Sequence, residues 1–148
     1  VSFDTDMVGP YGYCADISRT YVCGNIFNTN QKKLYSMAVE QINHNSRLIK
    51  RGMTFKEFQK KSWILPKEYY GNRYSVMVHG IGLCDEWPAI RYPTDGGEQS
   101  GVFEKNMTIT VESYIGKVGG KEGVKLEQQY VVGENNLELM SHHPLEDI

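Results

Sequence analysis

Carboxylates and a histidine stand on or beside stretches that read as strands: Asp4, Asp6, Asp16, His79, Glu112 and Glu127. A charged carboxylate inside a sheet is costly to desolvate unless it is paired or bound to a cation, so several converging on one place argue for a metal centre. Five carboxylates and one imidazole bring about five negative charges, close to what two divalent cations and a bridging hydroxide would balance. The donor set is hard to borderline and suits iron, manganese, cobalt or zinc. Taken singly, each residue has an ordinary reading. A buried histidine such as His79 is more often hydrogen-bonded in a core than bound to a metal, and Asp4 and Asp6 could simply flank a turn. The ordered set with its local contexts shifts the balance toward a metal centre.

The elements that must position these residues can be read along the chain. Val1 to Asp4 and Tyr13 to Cys23 have strand composition, and Gly9-Pro10-Tyr11-Gly12 supplies a turn to pair them as a hairpin. From Thr29, a plausible N-cap, to Lys50, Leu34, Met37, Ala38, Ile42 and Ile49 mostly recur at helical spacing, with Gly52 as a stop. Thr54-Phe55-Lys56-Glu57 has capping-box form, so a second helix should start there and end before Pro66. Its Phe55, Phe58 and Trp63 suit core contacts, and the basic residues between Arg47 and Lys61 suit a solvated helix face. Beyond Pro66 the composition turns to strand at Tyr74 to Val78, Met107 to Glu112, Gly123 to Val132 and Leu137 to Met140. Gly133 to Asn136 makes the last turn, and 91–101, with Pro93, Asp95, Gly96 and Gly97, forms a loop able to cover a site. The pattern is that of an α+β chain.

Composition narrows the function classes. With 148 residues, 40% hydrophobic and 23% charged, and a net charge of −2, the sequence suits one soluble domain and offers no basic excess for nucleic acid. It has neither an apolar run long enough for a membrane span nor a signal-like start, so a cytoplasmic protein without a membrane partner is expected. Cys14, Cys23 and Cys84 lack CxxC spacing and read as free thiols. His142-His143 lies away from every acidic block and reads as surface. The chain opens at Val1 directly into a strand carrying acidic residues, which suggests one part of a longer protein.

Four blocks carry a resemblance: Gly12-Tyr13-Cys14-Ala15-Asp16-Ile17-Ser18-Arg19-Thr20, His79-Gly80-Ile81-Gly82-Leu83, Thr110-Val111-Glu112 and Gly123-Val124-Lys125-Leu126-Glu127. In order, they resemble the GY-x-x-D-x-TRT, H-G-x-G-L, TVE and GV-R-I-E blocks of methionine aminopeptidase, aminopeptidase P, prolidase and creatinase relatives. The resemblance implies the pita-bread fold, whose curved antiparallel sheet holds two metal ions. It implies that Asp16 and Glu127 bridge them, that His79 and Glu112 serve one ion and that Asp4 serves the other. The chain would be the C-terminal, metal-binding part of that domain, its N-terminal domain and the first part of the catalytic domain lying outside it.

Departures from the peptidase pattern point to a subfamily. Cys84-Asp85-Glu86-Trp87-Pro88 stands where the peptidases carry a second histidine, and Glu112-Ser113-Tyr114 replaces their E-P-G. The distances from Asp4 and from Asp6 to Asp16 bracket the peptidase spacing without matching it. An Asp-x-Asp first block, His-Gly-Ile-Gly-Leu-Cys-Asp-Glu and a tyrosine five positions before the histidine resemble instead the metal-dependent dimethylsulfoniopropionate (DMSP) lyases of the same superfamily. That implies both Asp4 and Asp6 as ligands, iron as the leading metal and a full-length homodimer. The substrate would be a small zwitterion carrying a sulfonium and a carboxylate, cleaved to dimethyl sulfide and acrylate. Asp85 is then the candidate base, against the plain reading of a loop cap. Tyr74 is the candidate face for the sulfonium, against ordinary sheet packing, and Trp87 could add a wall. The alternatives are an Xaa-Pro-type metallopeptidase sharing the ligands, and a non-catalytic binding module, which has no physical need for buried, unpaired carboxylates.

Overall fold

A computed structural model describes residues 1–24, 26–96 and 100–145. Its centre is a five-stranded antiparallel sheet in the order β6-β5-β7-β8-β9. The strands are β5 (Val76–Gly80), β6 (Ala89–Arg91), β7 (Thr108–Gly116), β8 (Gly123–Val132) and β9 (Leu137–Leu139). One long helix, α1 (Thr29–Leu48), packs across β7 and β8. Together they give the α+β architecture expected from the pattern.

Helix α1 begins one residue earlier than expected. Asn28, not Thr29, is the N-cap, and it forms a complete capping box with Gln31, satisfying backbone donors that would otherwise be unpaired. The buried face carries Leu34, Tyr35, Ala38, Gln41, Ile42 and Asn45, the stripe that a period of 3.6 residues turns toward a sheet. Met37 sits at its margin, and Ile49 is buried just past the last turn, in extended backbone. Gln41 and Asn45 are the polar exceptions: Ser113 Oγ donates to Gln41 Oε1 at 2.7 Å, Gln41 Nε2 donates to Tyr92 Oη at 2.5 Å, and Asn45 Oδ1 accepts from Trp63 N at 2.9 Å.

Helix α2 (Phe55–Lys61) is shorter than the sequence suggests and its cap is half a capping box. Thr54 accepts from Glu57 N, but the Glu57 side chain pairs with Lys61 at 2.7 Å instead of returning to the cap. Phe55 and Phe58 meet Phe103 edge to face, sealing this end of the core. Pro66 caps a one-turn helix, α3 (Lys67–Tyr70), ahead of the expected strand, where no element was expected. β6 was also not expected; it runs up to the segment read as a loop and shares only Arg91 with it. Of that loop, residues 97–99 lie outside the described residues, and Asp95 is held by Arg73.

The N-terminal hairpin exists, but it is split. β1 (Ser2–Asp4) pairs with β4 (Ser18–Thr20), and β2 (Met7–Val8) pairs with β3 (Cys14–Ala15), around a 3-10 turn at Pro10–Gly12. Both pairs keep one register, so the hairpin is continuous in alignment and interrupted only at Thr5-Asp6 opposite Asp16-Ile17. The second strand ends at Thr20, short of Cys23. The hairpin docks on the loop after β5 through Cys14 N to Gly82 O at 2.7 Å and on β8 through Thr20 Oγ1 to the Lys125 carbonyl at 2.7 Å. All three cysteines are free. No helix among the described residues is long and apolar enough to cross a membrane.

Candidate metal centre

The break in the hairpin is where Asp16 turns inward while Asp6, opposite it, stays exposed. Asp6 adopts a left-handed backbone (φ 36°), unusual for a residue with a side chain. Around the gap, side-chain bonds replace the ladder: Ile17 N donates to Thr5 Oγ1 at 2.9 Å, and Asp6 N and Thr5 Oγ1 both approach Asp16 Oδ1 at 3.4 Å. Asp16 is buried, and its own backbone N–H donates to Gln129 Oε1 on β8.

The sheet supplies the rest. Glu112 on β7 stands directly opposite Glu127 on β8, while His79 on β5 lies opposite Thr110 on β7. His79 Nδ1 lies 3.0 Å from the Gly80 carbonyl, which as a donor leaves Nε2 facing the acids. That Nε2 is 3.1 Å from Glu127 Oε1, 3.7 Å from Glu112 Oε1 and 3.9 Å from Asp16 Oδ2. Asp16, His79 and Glu127 each offer a donor atom within 4.8 Å of the others. Asp4 joins through Ser18, whose hydroxyl reaches Asp4 Oδ1 at 2.5 Å and Glu127 Oε2 at 2.9 Å. The structure thus gathers all six acidic and imidazole candidates in one cluster.

Its electrostatics are those of a site short of positive charge. Burial, then the charges of Glu127, Asp4 and Asp6, pushes the Asp16 carboxyl up to about 7. Burial and Glu127 push Glu112 up to about 8, against the pull of Lys125. Burial works against a charged His79 ring, but the bond to Glu127 and the charge of Glu112 outweigh it and lift the ring to about 9. Glu127, by contrast, is held below the ordinary glutamate value: burial would raise it, but the His79 bond and the Lys125 charge prevail. Protons therefore do here what cations would do better. Glu112 Oε1 is the clearest sign, a buried oxygen without a hydrogen-bond partner among the described residues, turned toward His79. An orphaned carboxylate oxygen beside an imidazole nitrogen fits a divalent ion.

Asp85 reaches the cluster from the loop after β5. Its carboxylate, with those of Asp6 and Asp16, forms a second group whose oxygens lie within 4.8 Å of one another. It also accepts from Glu86 N at 3.0 Å, so it caps its loop as well. Tyr74 donates its hydroxyl to Glu86 Oε1 at 2.7 Å, and burial with that bond pushes its phenol upward. Trp87 is 67% exposed. It lines a cavity of about 300 Å³ with His79, Leu83, Ile90 and Phe103, in which Tyr74 has no part. Gly80 is required nearby because a Cβ there would lie 2.2 Å from the Trp87 carbonyl oxygen. His142 and His143 are exposed as expected, although His143 Nε2 meets Tyr21 Oη at 2.8 Å.

Three residues with a part in the centre escaped the sequence reading. Lys125 Nζ lies 2.5 Å from Glu112 Oε2 and 3.5 Å from both Asp4 Oδ2 and Glu127 Oε2, and it stands 4.8 Å over the Tyr74 ring. Burial opposes its charge, but Glu112 and Glu127 hold the ammonium well above the ordinary lysine value. Arg19 is buried and clamps β4 to β8 through the Glu127 carbonyl at 2.6 Å and Gln128 Oε1 at 2.6 Å. Ser18 ties Asp4 to Glu127. Two signals could have revealed them: Lys125 is two residues from Glu127, on the same face of a strand, and Ser18-Arg19 belongs to an acid-bearing block.

A fold of this kind around such a cluster defines a class. The model of metallopeptidase family M24 matches residues 1–134, and the chain belongs to this metal-dependent, pita-bread family. Among curated proteins it is 36% identical over 150 residues to dimethylsulfoniopropionate lyase DddP of Roseovarius nubinhibens, covering 99% of this chain and 33% of the relative. It is 35% identical to DddP of Roseobacter denitrificans with the same coverage. The chain thus spans about a third of the curated relatives' length. Among solved structures it matches Xaa-Pro dipeptidase from Bacillus anthracis with a TM-score of 0.75 and 30% identity, over 91% of this chain and 37% of that one.

Proposed function

We propose that the full protein is a metal-dependent lyase that cleaves DMSP to dimethyl sulfide and acrylate. The observation that carries this is Asp85: a carboxylate outside the ligand blocks, yet within reach of Asp6 and Asp16, where the peptidase pattern has a histidine. The higher identity to the two DddP lyases than to the Xaa-Pro dipeptidase supports it. The reading carries with it a homodimeric, cytoplasmic enzyme.

The residues proposed to hold two divalent ions, iron first and manganese, cobalt or zinc as alternatives, are Asp4, Asp6, Asp16, His79, Glu112 and Glu127. Bound there, the ions supply Lewis-acid stabilisation of charge developing next to the substrate carboxylate. Asp85 takes the proton from the carbon beside that carboxylate. The electron pair of the broken C–H bond becomes the C=C bond of acrylate, and the C–S pair leaves on sulfur as neutral dimethyl sulfide. Tyr74 offers its ring to the sulfonium, and Glu86, bonded to its hydroxyl, fixes the ring and adds a negative charge at the cationic end. Trp87 adds an apolar wall on the His79 side, in the cavity that Tyr74 does not line.

The test is gas-phase detection of dimethyl sulfide from the full protein, with release of proline from Xaa-Pro dipeptides measured alongside. Dimethyl sulfide without dipeptide cleavage is expected. Cleavage of dipeptides alone would favour the second reading, a metallopeptidase, for which the shared fold of the Bacillus anthracis dipeptidase speaks. Neither product from metal-loaded protein would favour a binding module.

A further inference from the structure

The oxygens of the two facing glutamates are divided between two neighbours. Glu127 turns Oε1 to His79 Nε2, at 3.1 Å, and Oε2 to Lys125 Nζ, at 3.5 Å. Glu112 does the same, with Oε1 orphaned on the His79 side and Oε2 on Lys125 at 2.5 Å. Asp4 contributes Oδ2 to the same ammonium at 3.5 Å, its Oδ1 being taken by Ser18. The Lys125 side chain is only 13% exposed. One half of the acidic cluster therefore already holds a cation, and the other half has an unpartnered Glu112 oxygen beside a His79 Nε2 that meets only carboxylates.

We infer that Lys125 is the resident cation of the Asp4 side of the centre, and that it makes ion loading sequential. The inference rests on the two-ion part of the proposed function. A first ion on the His79 side meets oxygens that Lys125 does not use, so the ammonium stays in place. A second ion, needing Asp4 and the outer oxygen of Glu127, must take oxygens that the Lys125 ammonium faces at 3.5 Å. A divalent ion sits about 2.0 to 2.2 Å from a carboxylate oxygen, and an ammonium a few ångströms away repels it in a poorly screened site. Binding the second ion requires Lys125 to swing out on its flexible four-carbon stem. The same movement uncovers the Tyr74 ring face, over which the ammonium stands. Loading of the second ion and opening of the substrate's cation site become one event.

The experiment is a calorimetric titration of the metal-free full protein with Mn²⁺, the bound ions being counted by electron paramagnetic resonance. Two ions are expected, the second weaker by about tenfold or more. Lys125→Met keeps an apolar stem without the charge, and in it the second ion should bind about tenfold more tightly than in the parent. Lys125→Arg keeps the charge and should keep the separation. Two equal steps in the parent would overturn the inference, as would a second ion bound no more tightly by Lys125→Met. If Lys125→Met does not fold without metal, it is refolded in Mn²⁺ at a concentration that leaves the parent with one ion. Two ions per chain are then expected, and one or none overturns the proposal. No substrate enters the measurement, so sequential loading without dimethyl sulfide would refute only the substrate reading. Dimethyl sulfide from a protein with equal steps would refute only the inference.

Discussion

Glu112 and Glu127 are direct cross-strand partners, both buried, in the longest ladder of the sheet. Like charges placed opposite each other weaken a strand pair, yet the hairpin repeats the arrangement, with Asp6 and Asp16 facing across its gap. A framework that twice opposes acid to acid around one histidine is built to be completed by cations.

Glu127→Gln should therefore cost more in metal than in fold. Glu127 meets His79, Lys125 and Ser18, so losing its charge removes an ion ligand at the middle of the cluster. Metal affinity should fall by at least the roughly 10- to 100-fold that even outer-shell partners contribute. Metal content measured after dialysis against graded chelator checks this, and unchanged retention would remove Glu127 from the ligand set.

The metal-free protein should lose stability as pH rises from about 4 to about 9. Asp16 and Glu112 are raised to about 7 and about 8, so the fold favours their protonated forms and loses that preference as pH climbs through these values. His79, raised to about 9, contributes fully below its ordinary value and loses its contribution as pH passes about 9. Glu127 works the other way, but only at acid pH, near and below the ordinary glutamate range. With metal bound the trend should reverse, because the ions need deprotonated ligands. Melting temperatures with chelator and with Mn²⁺ between pH 5 and 9 decide it, and a chelated protein that gains stability toward pH 9 would contradict the electrostatics.

Ser18→Ala should act on the centre without removing a ligand. Its hydroxyl shares one proton between Asp4 and Glu127, and a hydrogen bond contributes about 0.5 to 1.5 kcal/mol net, more to a charged group. A lower melting temperature and about 10-fold weaker metal binding are expected. A change in melting temperature alone, at unchanged affinity, would make Ser18 merely structural.

Asp85→Asn should abolish turnover while leaving metal content intact, with kcat falling by at least the roughly 10²- to 10⁴-fold that general-base catalysis supplies. On the proposed lyase reading, Tyr74→Ala should instead raise KM more than it lowers kcat, since attraction to a sulfonium would exist in the ground state and fade as neutral sulfide forms. Near-normal dimethyl sulfide release from fully loaded Asp85→Asn would move the proton to another group.

The acidic blocks were legible in the sequence because each lies in a short local context on a strand or turn, where an acid is out of place. The long helix was legible for the same local reason, its stripe and stop both being encoded within it. Lys125 was not, because a lysine in a strand ordinarily points to water, and only the facing of β7 with β8 shows it enclosed by Glu112, Glu127 and Asp4. β6 and α3 are three and four residues long, too short for any periodicity to emerge. The gap between Asp6 and Asp16 depends on bonds across the hairpin that composition does not reveal.

Along β7 and β8 the apolar core and the acidic centre are written in alternate letters. Val124 and Leu126 face the core while Lys125 and Glu127 face the site, and Val111 and Ile115 flank Glu112 and Tyr114 in the same fashion. Parity is therefore the grammar of this segment. Point changes can tune either text separately, but an insertion or deletion of one codon within either strand would print the ligands into the core and the core into the site. Loop length is free of that constraint, whereas the spacing inside these two strands answers to two independent readers at once.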